Sequence, residues 1–160
     1  LMNGTSGSTF SPLENLTRAQ LTAVLYRMDG SPAVSGTCSF TDAKRGAYYA
    51  DALVWAERNA LVNGYGSGAF GVGDAITREQ LVTILYRYAA YKGIDVSARA
   101  DLSGYRDAEK ISGYARDAFG WAVEAGLIRG SGDLLNPQGR TTRAEYAAIA
   151  ARFHKTFIAK

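Results

Sequence analysis

The chain repeats itself, and this limits its architecture more than any other feature. Residues 1–28, LMNGTSGSTFSPLENLTRAQLTAVLYRM, align with 61–88, LVNGYGSGAFGVGDAITREQLVTILYRY, and again with 127–153, LIRGSGDLLNPQGRTTRAEYAAIAARF. The stretch ahead of the second copy recurs as well. FTDAKRGAYYADALVWAERNALVNG at 40–64 matches YRDAEKISGYARDAFGWAVEAGLIRG at 105–130, setting Asp42 on Asp107 and Trp55 on Trp121. A unit of about 60 residues cannot bury its apolar face alone, so the copies must pack on one another. Within one domain, 1–160, they span 1–28 (the second half of a copy), 40–91 and 105–157. Because only the first lacks its front half, the expectation is a truncated first copy, completed by an upstream segment or a partner chain.

Each full copy reads as a loop entry, a helix, a glycine-rich connection and a second helix. In the second copy, the first helix is expected from Tyr49 to Val62, with Leu53, Trp55, Ala56, Ala60 and Leu61 at mixed helical spacing and Gly64 as a left-handed stop. The second helix is better defined. Leu21, Val24, Leu25 and Met28, then Leu81, Ile84, Leu85 and Tyr88, then Tyr146, Ile149, Ala150 and Phe153 repeat the i, i+3, i+4, i+7 stripe of a helix with one buried face. Segments 29–39 and 92–104, rich in small and turn-forming residues, link the copies. The fold class is all-α, and the copies are free to close into a compact pseudo-threefold body or to extend as a solenoid.

Every second helix opens alike: LTRAQL at 16–21, ITREQL at 76–81, TTRAEY at 141–146. Thr17, Thr77 and Thr142 stand at N-cap positions, with Gln20, Gln80 and Glu145 at the spacing of a capping box. Leu16 with Leu21, and Ile76 with Leu81, add a hydrophobic staple that Thr141 breaks in the third copy. The arginine between them, Arg18, Arg78 or Arg143, has no such explanation, since the positive end of the helix dipole disfavours a cation by about 0.3–1 kcal/mol. Two accounts stay open. Each arginine pairs with an acid of a neighbouring copy, such as Asp42 or Asp107, or it joins the helix N–H groups in holding an external anion. The glycine-rich turns ahead of these helices allow a ligand close to the backbone, and Tyr65 is placed to stack on a sugar ring.

Composition removes several classes of function. With one cysteine, Cys38, and one histidine, His154, the chain offers no Cys/His metal cluster and no internal disulfide, and nothing calls for a cofactor. A net charge of +3 favours an anionic partner, but the basic residues are scattered rather than striped as nucleic-acid binding requires. No run reaches the roughly 18 apolar residues of a membrane span, so membrane insertion is not expected. A glycosidase needs two carboxylates facing each other across a cleft. Asp42, Asp51, Asp107 and Asp117 instead recur as equivalents, so no catalytic residue is expected.

The ordered set of motifs resembles the S-layer homology domain. It comprises an aromatic-x-Asp opening (FTD at 40–42, YRD at 105–107), an internal WA (55–56, 121–122) and a Gly-x-Gly turn (64–66, 130–132). An F/L-x-P-like step (FSP at 10, FGV at 70, LNP at 135) and the Thr-Arg helix start complete it. The resemblance implies a three-repeat, pseudo-threefold helical body that anchors exported bacterial proteins, without catalysis, to an anionic secondary cell-wall polysaccharide, often pyruvylated. It thereby implies an extracellular location at the cell wall. Ligand-binding positions carried over are Arg18, Arg78 and Arg143, with Asp42, Asp107, Trp55, Trp121, Gly64, Tyr65, Gly66, Gly130 and Gly132 as motif residues around them. The alternative is a structural or self-assembly module of a surface layer with no glycan binding of its own.

Overall fold

The computed structural model describes residues 11–159. It contains five α-helices: α1 Arg18–Met28, α2 Ala50–Arg58, α3 Arg78–Tyr91, α4 Arg116–Glu124 and α5 Arg143–Phe153. Short 3-10 turns at Ala108–Lys110 and Gly113–Ala115 lead into α4, and a π-helical turn, His154–Ile158, follows α5. Among the described residues there is no strand, only isolated bridges such as Thr17 with Ala75 and Thr77 with Arg140. The chain is all-α. The first copy's glycine-rich turn, 3–10, lies outside the described residues.

Two compact units are distinguished. One holds Leu16–Ala75, and the other Pro12–Asn15 with Ile76 onward. In the first, α1 packs on α2, with the Tyr26 and Trp55 rings 5.6 Å apart and Leu21, Leu25, Leu53 and Ala56 buried around them. In the second, α3 packs on α4 through an edge-to-face contact of Tyr86 with Trp121 at 5.7 Å. The Tyr88 and Phe153 rings meet 5.8 Å apart between α3 and α5. The helix covering α1, and the one covering α3, is thus the first helix of the following copy. Each large apolar side chain buried in this way contributes about 1.5–3 kcal/mol.

The first helix of the second copy is shorter than its apolar spacing implied. It stops at Arg58, not near Val62, and Gly64 is not its cap. Ala60 takes the left-handed conformation, φ 54°, while its N–H donates to Glu57 O (3.0 Å) and that of Leu61 to Ala56 O (2.8 Å). These are the paired bonds of a Schellman ending. Copy three ends α4 with the same pair, Gly126 to Val123 O and Leu127 to Ala122 O, and there the left-handed residue is a glycine, φ 67°. Leu61 and Val62, buried beyond the helix end, extended the apparent helical pattern past its true stop.

Gly64 answers to a different constraint. A Cβ there would lie 2.8 Å from Ala69 O and 2.9 Å from Phe40 Cε1. Its counterpart Gly130 would meet Tyr105 Cε1 at 2.7 Å and Leu134 O at 2.9 Å. These glycines let the turn close against the aromatic of the aromatic-x-Asp opening.

Candidate functional site

Capping boxes form at all three second helices. Thr17 Oγ1 accepts the Gln20 N–H (3.2 Å), Thr77 Oγ1 that of Gln80 (3.3 Å) and Thr142 Oγ1 that of Glu145 (3.2 Å), each with the reciprocal bond to the cap N–H. The next donors are also taken. Arg78 N–H donates to Gly139 O (2.9 Å) and Glu79 N–H to Pro137 O (3.0 Å), while Arg143 N–H donates to Glu14 O (2.9 Å) and Ala144 N–H to Pro12 O (3.0 Å). Arg18 N–H likewise donates to Asp74 O (3.0 Å). The first three helical N–H groups of α3 and α5 are therefore occupied by the chain. An anion at these ends would have to be held by side chains.

The guanidinium groups explain the cation. Arg18 Nε–H donates to Phe70 O (2.8 Å) and Nη2 to Asn63 O (2.9 Å). Arg78 repeats this, Nε–H to Leu135 O (2.8 Å) and Nη2 to Arg129 O (3.2 Å). Hydrogen bonds from a charged donor contribute about 1.5–3 kcal/mol each. Two of them outweigh the roughly 0.3–1 kcal/mol penalty of a cation at the helix start. Arg143 is also buried, 4% exposed, and the first-copy counterparts of these acceptors, Asn3 and Phe10, lie outside the described residues.

The aspartates grip the same turns from the other side. Asp42 Oδ1 accepts the Phe70 N–H (2.6 Å), and Oδ2 those of Gly71 (2.8 Å) and Val72 (2.9 Å). Asp107 accepts from Leu135 (2.8 Å) and Asn136 (2.7 Å), the third donor being lost because Pro137 replaces valine. Phe70 and Leu135 are thus each held twice, by carbonyl to an arginine and by N–H to an aspartate. Burial pushes both carboxyl groups up, but the backbone donors outweigh it and leave each below the ordinary carboxylate value. Arg78 shifts downward through burial, opposed by the charges of Glu145 and Asp107 and assisted by Arg152.

The remaining motif residues occupy varied surroundings. Trp55 and Trp121 are core side chains, each 2% exposed. Tyr65 is 40% exposed; the Arg18 guanidinium lies 4.9 Å from its ring centroid, and its hydroxyl donates to Asp74 Oδ2 (2.9 Å). A Cβ on Gly66 or Gly132 would meet nothing within 4 Å, although Gly132 has φ 61°.

Beside Arg78, in the second unit, opens a pocket of about 210 Å³. Arg78, Arg129, Arg152 and Glu145 line it, with Ile128 and Ile149 among its apolar walls. The Arg152 Nε is buried and has no hydrogen-bond partner among the described residues. The sequence motifs single out neither Arg129 nor Arg152, which line this pocket, and mark Glu145 only as a capping residue. One signal was present: Arg27, Arg87 and Arg152 occupy one register of the three second helices.

Helix starts latched onto the turn of another copy, with each shared peptide gripped by an arginine and an aspartate, define a tandem-repeat helical module. The S-layer homology domain model matches residues 1–22, 39–82 and 104–147, and the chain belongs to that family. It is 33% identical over 150 residues to an endoglucanase of Bacillus sp. (strain KSM-635), covering 93% of this chain and 16% of that protein. Identity to the surface-layer 125 kDa protein of Lysinibacillus sphaericus is 26% over 156 residues, covering 95% and 13%. For a cellulosome-anchoring protein of Acetivibrio thermocellus it is 26% over 162 residues, covering 94% and 34%. The chain therefore spans about a third or less of the length of each of these relatives.

Proposed function

We propose that the chain anchors a bacterial surface protein, without catalysis, to an anionic secondary cell-wall polysaccharide whose charge comes from pyruvyl ketal groups. It works outside the cell, at the wall. One observation carries this reading: the pocket beside Arg78 sets three arginines against one carboxylate, next to apolar walls that suit the carbon face of a sugar. Family membership and the names of the surface-layer and cellulosome-anchoring relatives support it. Asp42 and Asp107 accept backbone N–H groups, an arrangement that suits a structural clamp better than the facing carboxylates of glycoside hydrolysis. The endoglucanase relative, of which this chain matches 16%, fits an anchor joined to a hydrolase as cargo.

A pull-down with purified wall polysaccharide, native and after mild-acid removal of its ketals, tests the proposal. Retention on the native glycan and loss on the treated one is the expected result, and equal retention on both would overturn the anionic reading. The latches of Arg18 and Arg78 favour a second reading, a self-assembly module with no glycan binding of its own. It predicts retention on neither glycan.

A further inference from the structure

We infer that the acid group of the glycan is held in this pocket by Arg129 and Arg152 rather than by the recurring helix-start arginine, Arg78. The inference rests on the anchoring reading above and assigns its charge contacts to residues outside the Thr-Arg motif. Arg78 spends Nε on Leu135 O and Nη2 on Arg129 O, so two of its donors already hold the wall of the pocket in shape. Arg152 is the reverse case. Its Nε–H is removed from water with no acceptor among the described residues, while the side chain lines the pocket. A cationic donor buried in this way calls for an external acceptor, and a carboxylate supplies two oxygens to a guanidinium fork.

Arg129 joins it from the connection between the helices. It is exposed on the same pocket, and its own carbonyl is the one Arg78 holds. Arg78 and Arg152 also oppose each other as like charges. Glu145, the one carboxylate present, directs Oε2 to the Thr142 N–H (2.6 Å) and hydroxyl (2.9 Å). A saccharide carboxylate carried on an apolar carbon would relieve that repulsion and lie against Ile128 and Ile149.

The test compares the whole chain with R129Q, R152Q, R152K and R78A. Probes are polysaccharides released from walls of Lysinibacillus sphaericus and Acetivibrio thermocellus, native and with carboxyl groups reduced to alcohols. R129Q and R152Q should bind the native glycan at least about tenfold more weakly, match the parent chain on the reduced one, and keep its melting temperature. R152K, which keeps the charge but lacks Nε, should fall between them and the parent. R78A should lower the melting temperature. If the parent chain binds but R129Q and R152Q stay within about twofold of it, the inference fails while the anchoring reading stands. If the parent chain binds neither polysaccharide, the anchoring reading fails and takes the inference with it.

Discussion

An arginine at the first turn of α3 is tolerated because its side chain leaves the helix end for two carbonyls of the next copy's connection. R78A should accordingly cost about 2–4 kcal/mol in chemical denaturation, less than two full charge-assisted bonds because the one to Arg129 O is long, 3.2 Å, and exposed. R78K should recover only part, since an ammonium cannot span both acceptors with a fixed fork. The aspartates make the same turns sensitive to acid. Their folded-state pKa values lie below the ordinary value of about 3.9, so their ionised form favours folding. That stabilisation is complete above the ordinary carboxylate range and is lost as pH falls through the folded-state values. D107N should flatten the acid limb of melting temperature against pH, and an unaltered limb would show that the carboxylate adds nothing to the clamp. The capping boxes were legible residue by residue, because their partners lie three positions apart. The clamp was not, because Arg18 and Phe70, or Arg78 and Leu135, are joined by hydrogen bonds across distant sequence.

Helix two was readable as an element because threonine, arginine and a four-position apolar stripe mark its start and face. The end of the first helix in the second copy carries no sequence signal, because Ala60 occupies the left-handed position that copy three gives to Gly126. A60G should stabilise the chain by about 0.5–1 kcal/mol in thermal or urea unfolding, the relief of left-handed strain exceeding the entropic cost of glycine. The turn glycines divide in a similar way. G64A drives a Cβ into Ala69 O and the Phe40 ring and should destabilise by about 1–3 kcal/mol. G66A meets nothing within 4 Å and should be close to neutral by the same measurement. Periodicity also left the pairing of helices open. It marks which face of α1 or α3 is buried, but only the Tyr26–Trp55 and Tyr86–Trp121 contacts reveal that the covering helix comes from the following copy.

For the molecule as a whole, the repeat, the all-α class and the family were legible in the order and spacing of short motifs. The cationic pocket was not, because a net charge of +3 spread over 160 residues conceals three arginines gathered from α3, α5 and the connection after α4. Recurrence of the motif arginine marks whatever the copies share, including a latch. In the proposed anchor, Arg78 is the latch and the anion site is formed by other residues, Arg129 and Arg152. Following the arginine Nε signals in a nitrogen-15 NMR titration with a carboxylate-bearing fragment of wall polysaccharide separates the two roles. Saturable shifts of Arg152 and Arg129, with Arg78 Nε still tied to Leu135 and unmoved, are the predicted result. A shift at Arg78 with Arg152 and Arg129 unchanged would contradict that division.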